Sequence, residues 1–183
     1  QYYAMLYTDK EMVFQIGNVS DTSRTLHSSY KNFVDKDYWK SGAPWYSNRW
    51  NIYNISFKDE FYTTSMAYWF YGHGYLKNVD YTNFKLDNVI NMCGAFENCT
   101  NITVAVCGKN VVDMSYAYNN CVNIKGNAAC GNNVANLRYA YLNCWKLDGS
   151  PACSDSVIDM YFTYKNCYNL TGSPVCGSNV TDF

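Results

Sequence analysis

The sequence predicts an α/β repeat fold in which units of about 23 residues each supply one strand and one helix, stacked as a right-handed solenoid. Three observations support this prediction. The motif Asn-Cys-x-Asn-Leu recurs, with variations, along the second half of the chain. One cysteine of each unit recurs at a constant interval, at Cys107, Cys130, Cys153 and Cys176. A fixed period between about 20 and 29 residues is typical of a leucine-rich-repeat-like stack.

The period divides the chain into two regions. Residues 63–183 form the repeat region, whose last unit is truncated at Phe183, and residues 1–62 form a β-rich cap. Residues 3–7 and 12–16 predict a hairpin, residues 52–57 a strand, and the polar stretch 17–44 a loop with a short strand or turn near residues 30–34. Three tryptophans are expected to cover the apolar face of the first unit: Trp39, Trp45 and Trp50. A separate N-terminal functional domain is the alternative.

Each unit carries apolar residues at positions i, i+4 and i+7, as at Met114, Tyr118 and Cys121, which predict one face of a helix. The Gly-Ser-Pro-Ala/Val-Cys segment that follows is expected to be the strand of a parallel sheet. An asparagine precedes the first cysteine of each unit and is expected to hydrogen-bond the backbone in a structural ladder of Asn98, Asn120, Asn143 and Asn166.

The nine cysteines are interpreted as reduced core residues, with a disulfide framework as the alternative. Their number is odd, and free cysteine behaves as a small buried hydrophobe. Two structural columns are expected, one of Cys99, Cys121, Cys144 and Cys167 and one of Cys107, Cys130, Cys153 and Cys176. No CxxC pair occurs, so no metal site is predicted. His73 takes the place of the first cysteine in the first unit and is expected to be structural.

Composition and charge argue against several classes of function. The formal net charge is −1 and charged residues make up 16% of the chain, without a basic stripe that would favour nucleic acid. No apolar run reaches the roughly 18 residues of a membrane span. The sequence has no phosphate-binding glycine loop and no Ser/His/Asp or paired-carboxylate set. We therefore expect neither an enzyme nor a cofactor, and no membrane insertion.

The chain resembles the BspA-like leucine-rich-repeat surface proteins in two patterns. One is Asn-Cys-x-Asn-Leu-Thr-Gly-Ser-Pro-Val-Cys-Gly, and the other is the recurrent Val-x-x-Met-x-x-x-Phe/Tyr-x-x-Cys-x-x-Leu over residues 66–183. Residues 3–69 are similar to the leader that precedes such arrays. The resemblance implies a secreted or surface-displayed binding module, and it extends to tail-associated products of prophages. The second cysteine column departs from the family pattern, in which apolar residues or proline are more common.

Positions that the period leaves variable are the candidates for ligand binding. An outward-facing aromatic strip is expected from Tyr116, Arg138, Tyr139, Trp145, Tyr161, Phe162 and Tyr168. Tyr, Trp and Arg are the residue types enriched at binding hot spots. A second candidate face follows the leucine column and includes Lys125 and Asp148. The alternative for the strip is that its rings pack between neighbouring units.

These patterns predict an extracellular or cell-surface adhesion module that binds a protein or glycan of a host or target cell. One alternative is a receptor-binding domain of a phage tail or contractile particle, located on a virion tail. The other is a structural spacer. Since the chain stops where a further unit would begin, further repeats or a partner are expected to cover its C-terminal end.

Overall fold

The computed structural model describes residues 1–18 and 20–182. Its strands are β1 (Tyr2–Tyr7), β2 (Glu11–Ile16), β3 (Leu26–Lys31), β4 (Asn54–Phe57) and β5 (Asn78–Val79). They form one mixed five-stranded sheet in the order β3-β1-β2-β4-β5. Short 3-10 helices lie at Lys40–Gly42, Tyr46–Asn51 and Leu86–Asn88, and the described ranges contain no α-helix.

The predicted hairpin is confirmed, because β1 and β2 pair antiparallel with Met5 opposite Val13. β3 pairs antiparallel with β1, and β4 pairs parallel with β2. β4 lies within the strand predicted at residues 52–57. β3 begins before the short strand or turn predicted near residues 30–34 and overlaps it at Tyr30 and Lys31.

Aromatic rings fill the space between the sheet and the chain that follows it. Phe14 on β2 is fully buried. Its ring centroid lies 4.9 to 6.4 Å from those of Phe33, Trp45, Phe57, Phe61, Trp69 and Phe70. The tryptophan prediction holds for Trp45 and is wrong for Trp39 and Trp50, whose surfaces are 72% and 50% exposed. One continuous apolar core therefore runs from the sheet into the rest of the chain, from Ala4 to Met160.

The predicted leucine-rich-repeat-like solenoid of strand–helix units is wrong. Residues 63–182, which we call the turn region, contain only the short strand β5, one 3-10 helix and single bridges of parallel type such as Asn91–Asp113. The predicted helices are successions of turns, and the Gly-Ser-Pro segments are not strands. The regular sheet is mixed rather than parallel, and it lies mainly before Lys58. The described residues therefore lack the architecture of a repeat protein.

Backbone conformation explains the missing helices. The φ angle is +57° at Tyr116 and +61° at Asn120, and a right-handed helix cannot pass through a residue with positive φ. The same conformation recurs at Tyr139 and Asn143, with φ of +57° and +63°. The spacing i, i+4, i+7 therefore arises here from consecutive turns.

The peptide N–H groups of the turns alternate between two kinds of partner. Met92 and Gly94 each donate to a carbonyl in the next stretch of chain, on Asp113 and Ser115, at 2.8 Å. Ala95, the next residue, donates back to the Met92 carbonyl of its own turn at 3.0 Å, and Phe96 again donates across, to the Ala117 carbonyl at 2.8 Å. Successive stretches thus lie side by side while each keeps its own turns, which satisfies the backbone without a helix or an extended strand.

The positions predicted to point inward are buried in spite of the changed backbone. Met114, Tyr118 and Cys121 have no exposed surface. The rings of Phe70, Phe96, Tyr118, Tyr141 and Tyr164 stack in one column with centroids 5.4 to 5.6 Å apart. The Tyr118 hydroxyl donates to the Val106 carbonyl at 2.7 Å and accepts from the Val106 N–H at 2.9 Å.

The two cysteine columns differ in state. In the first column the thiols are free, and the Cys99 thiol donates to the Phe70 carbonyl at 3.0 Å. In the second column Cys153 and Cys176 form a disulfide with their Cα atoms 5.2 Å apart, so the prediction of reduced cysteines is wrong for this pair. The two cysteines lie at equivalent places on neighbouring stretches, which brings them within reach of a disulfide.

The asparagine ladder is present, but its bonds differ from those predicted. The Asn120 side-chain amide donates to Asn98 Oδ1 at 2.9 Å, Asn143 to Asn120 at 2.6 Å, and Asn166 to Asn143 at 2.7 Å. The links run from side chain to side chain rather than to the backbone. All four asparagines have positive φ, a conformation that asparagine tolerates better than most residues.

Candidate functional site

Five of the predicted ligand-binding residues form one continuous surface, which we call the aromatic strip: Tyr116, Arg138, Tyr139, Tyr161 and Phe162. The rings of Tyr116 and Tyr139 stack with centroids 4.8 Å apart. Tyr139 meets Tyr161 and Phe162 edge to face at 5.5 and 5.9 Å. All five side chains are half-buried, so neighbouring rings cover part of one another and leave the remainder to solvent.

Arg138 is held in place inside the strip. Its guanidinium lies 5.2 Å from the ring centroid of Tyr139 and 4.4 Å from that of Tyr161. Nη1 also lies 3.4 Å from a carboxylate oxygen of Asp159 and 3.2 Å from one of Asp182. Stacking and ion pairing fix the orientation of the guanidinium, which reduces the entropy that a partner's binding would cost.

Three rings of the strip region occupy strained backbone positions. Tyr116, Tyr139 and Phe162 have φ of +57°, +57° and +55°. Their counterpart in the preceding stretch is Gly94, with φ of +58°, which is the residue this conformation favours. A bulky side chain there costs about 1–2 kcal/mol relative to glycine. The chain thus carries rings at positions where glycine would relieve strain.

The remaining predicted ligand residues lie outside the strip. Trp145 and Tyr168 are 52% and 76% exposed, and they follow the first cysteine column. Lys125 and Asp148 are exposed on a third line of positions, and the Asp148 carboxylate accepts the Gly126 N–H at 2.7 Å. The structure therefore divides the predicted site into three separate groups of residues. Only in the strip do the described predicted residues contact one another through their rings.

Sequence analysis missed that the line of positive-φ rings continues toward the sheet with a buried member, Tyr68, which is 3% exposed and packs inside the protein rather than extending the binding surface. Tyr68 has φ of +53° and precedes Gly94 in the same line of positions. Its ring covers Gly94, where a Cβ atom would lie 2.2 Å from Tyr68 Cε1. The exposed ring of Trp39 lies 5.1 Å from that of Tyr68. Aligning the first unit with the second, which places Tyr68 on Gly94, would have revealed this member.

A cavity of about 540 Å³ lies elsewhere, beside β1, β2 and β4. It is lined in part by Tyr7, Glu11 and Arg24. Arg24 there is already paired with Asp9 at 2.6 Å and Glu11 at 2.9 Å, and it stacks over the Tyr7 ring at 4.0 Å. No described residue that lines this cavity has the positive φ that distinguishes the rings of the strip, so we place the proposed site at the strip rather than here.

Burial holds three cysteines and one histidine of the turn region in their neutral forms. Burial raises the pKa of Cys107 to about 12 and those of Cys130 and Cys167 to about 11, so their reactive thiolate forms are scarce near pH 7. Burial lowers the pKa of His73 to about 4, while its Nδ1 lies 3.1 Å from the Tyr71 carbonyl. Within residues 1–18 and 20–182 no cluster of three His, Cys, Asp or Glu residues has the geometry of a metal site.

No helix in the described part of the chain is long and apolar enough to cross a membrane. Comparisons of the chain with protein-family models, with curated proteins and with solved structures find no match. The resemblance to BspA-like surface proteins therefore stays a prediction from the sequence motifs.

Proposed function

We propose that this chain is an extracellular, non-catalytic binding module of the adhesion type, which recognises a protein or glycan of a host or target cell through the aromatic strip. One observation carries the proposal: three partly exposed rings, those of Tyr116, Tyr139 and Phe162, stand at positive φ, a conformation that is strained for bulky side chains. Strained residues of this kind cluster at ligand clamps and functional sites. A contribution of these rings to the free energy of ligand binding would explain why they are kept in spite of the conformational free energy that positive φ costs.

The chemistry of the strip suits a partner surface. Tyrosine supplies a large contact area with little side-chain freedom to lose, arginine supplies several hydrogen-bond donors, and both are enriched among binding hot spots. The Arg138 guanidinium is positioned by Tyr139 and Tyr161 before any ligand arrives. A preorganised donor of this kind favours affinity.

Two further observations support an extracellular location. The disulfide between Cys153 and Cys176 belongs to the kind of bond that persists in oxidising compartments and is rare in the cytosol. The motif resemblance to surface proteins points to the same location. Because the motif resemblance extends to tail-associated products of prophages, a phage-tail receptor-binding domain is the second candidate.

The experiment is a binding screen of the chain against animal matrix proteins, glycans and bacterial wall polymers, followed by one triple variant. The variant combines Tyr116→Gly, Tyr139→Gly and Phe162→Gly, which remove the rings and suit the backbone. We expect about a tenfold or greater loss of affinity, the usual effect of removing hot-spot rings. Val175→Ser is the matched control, since Val175 is 89% exposed and lies outside the strip.

Thermal unfolding of the same variants separates binding from packing. If the rings serve a ligand, the triple variant unfolds at the same or a higher temperature, because three strained positions are relieved. A marked fall in unfolding temperature with unchanged affinity would assign the rings to packing instead. Binding to wall polymers alone would favour the phage-tail candidate, and the absence of any binding would favour a spacer.

A further inference from the structure

We infer that a second pocket, between the 3-10 helix Tyr46–Asn51 and the turns near residues 72 and 98, binds the carboxylate of an acidic sugar residue. The pocket has a volume of about 320 Å³ and shares no residue with the aromatic strip. Its walls include Tyr46, Arg49, Trp50, Gly72, Asn98 and Thr100. A volume of this size accommodates one small ring compound.

Arg49 supplies an oriented positive charge to this pocket. Its guanidinium lies 4.2 Å from the ring centroid of Tyr46 and 4.4 Å from that of Trp50. Nη1 donates to the Tyr46 carbonyl at 3.1 Å, and no carboxylate in the described part of the chain pairs with this arginine. Rings against its flat face leave the N–H edge as the free side, and that edge binds carboxylates in a bidentate manner.

Asn98 supplies a second donor, because the asparagine ladder stops there. Each later asparagine of the ladder donates its amide to the asparagine of the stretch before it. The residue before Asn98 in this line is Gly72, which has no side chain to accept the bond. The Asn98 amide therefore keeps its donor capacity beside Arg49, since no contact found within residues 1–18 and 20–182 uses it.

The glycines keep the floor of the pocket open. A Cβ atom at Gly72 would lie 3.7 Å from Arg49 Cδ, and one at Gly74 would lie 3.4 Å from Thr100 Oγ1 and 3.9 Å from Trp50 Cζ3. The exposed half of Trp50 adds an apolar ring surface next to these donors. Guanidinium, amide, hydroxyl and indole together match a ring that bears one carboxylate and several hydroxyl groups.

A sugar carboxylate fits this pocket better than a peptide carboxylate. Peptide recognition commonly uses a strand edge or a groove for a helix, which bind along the length of the chain. The wall residues here belong to a 3-10 helix and to turns, and they line a short, open depression rather than a long groove. The inference does not rest on the strip, and the pocket could serve either candidate function.

The test is a titration of the full chain with sodium glucuronate and with N-acetylneuraminate, followed by ligand-observed saturation-transfer NMR. Glucose is the neutral control, and N-acetyl-diglycine presents a carboxylate without a sugar ring. For at least one sugar acid we expect a Kd on the order of 1 mM, which is usual for a ligand with so few atoms. The two acids distinguish a uronic acid from a sialic acid as the source of the carboxylate.

Two variants locate the binding. Arg49→Lys keeps the charge but loses the bidentate fork, and we expect about tenfold weaker binding. Asn98→Gly keeps the positive φ and removes the amide, with about fivefold weaker binding expected from the loss of one hydrogen bond. Lys109→Gln is the control, because its side chain is 70% exposed and lies outside the pocket.

Four results would overturn the inference. They are the absence of saturation transfer from both sugar acids at about 10 mM, glucose binding as tight as that of the acids, an unchanged Kd in Arg49→Lys, and N-acetyl-diglycine binding as tight as that of the sugars. The last would identify a peptide carboxylate as the ligand. None of these results involves the aromatic strip, so the proposed function is tested separately.

Discussion

The sheet region, residues 1–57, and the turn region are stabilised in different ways although they share one apolar core. In the sheet region β1 and β2 pair in a regular register, and Phe14 packs among six other rings. In the turn region polar side chains supply many of the hydrogen bonds. Tyrosine hydroxyls, asparagine amides and thiols bond the backbone or each other from one stretch to the next. Both regions therefore bury apolar side chains, but the sheet region joins its backbone by strand pairing, whereas the turn region adds side-chain hydrogen bonds from one stretch to the next.

The largest difference is expected from the removal of a buried ring in each region. Phe14→Ala should lower the free energy of unfolding by about 5 kcal/mol and Phe96→Ala by about 3 kcal/mol, the two ends of the usual range for a buried phenylalanine. Both residues are fully buried, but Phe96 stacks with fewer rings of the described chain, those of Phe70 and Tyr118. Urea unfolding measures both values. A larger loss for Phe96→Ala would break the comparison.

The disulfide should contribute the next largest effect. Closing the 23-residue separation between Cys153 and Cys176 stabilises the folded chain by about 3 kcal/mol in the loop-entropy account. Urea unfolding with and without reductant measures this contribution, with the double variant Cys153→Ser/Cys176→Ser as the control that reductant should not affect. Thiol titration of the denatured, unreduced chain should find the seven free cysteines. A count of all nine cysteines would show that the bond is absent.

A single hydroxyl should matter more in the turn region than in the sheet region. Tyr141 donates to the Ala129 carbonyl at 2.7 Å and accepts its N–H at 2.8 Å. Tyr141→Phe leaves both partly buried groups of Ala129 without the hydroxyl and should cost about 2 kcal/mol in urea unfolding, because two hydrogen bonds are lost. Tyr30→Phe is the matched change near the sheet, where the hydroxyl accepts from a partly buried Asn48, and it should cost less than about 1 kcal/mol. Equal losses would show that hydroxyls serve both regions alike.

His73, near the junction of the two regions, should make stability sensitive to acid. Its pKa of about 4 in the folded chain lies below the unperturbed value near 6.5, so the unfolded chain binds the extra proton first. The contribution of neutral His73 to stability is fully present above pH 6.5. Between pH 6.5 and 4 the free energy of unfolding falls by about 1.4 kcal/mol per pH unit. His73→Gln should remove this slope, although it also changes stability at pH 7. An identical slope in the variant would assign the acid sensitivity to other groups.

Much of the sheet region could be predicted from sequence, whereas the backbone of the turn region could not. Alternating apolar runs predict β1 and β2, and residues 52–57 predict β4. In the turn region, burial of Met114, Tyr118 and Cys121 follows from their spacing, but that spacing fits a helix and consecutive turns equally well. Tyr116 and its counterparts decide between the two, because their positive φ rules out a helix, and a tyrosine in the sequence gives no indication of positive φ.

The strand prediction failed for a related reason. A segment such as the one around Val106 needs partners for its backbone, and a neighbouring strand is the usual source. Here the hydroxyl of Tyr118 serves both the N–H and the carbonyl of Val106, and Tyr164 does the same for Ala152. The structure brings the five strip residues together because they occupy equivalent or adjacent positions of successive stretches, and their role in binding stays a prediction. Arg49 and Asn98 were missed as a pair because only the fold brings them together.

The hydrogen-bond alternation also governs where the chain tolerates changes in length. The bridges that join successive stretches are unevenly spaced, since Ser65–Asn91 encloses a longer piece of chain than Asn91–Asp113. The segment from the buried methionine or leucine of each stretch to its ladder asparagine nevertheless has a constant length. One added residue would move the N–H groups that bond the next stretch into positions where they bond their own turn. Additions fall instead in the connecting parts, as with the 3-10 helix Leu86–Asn88 or the exposed turn at Gly126. Those connections are the natural places to graft a peptide or a label onto this protein.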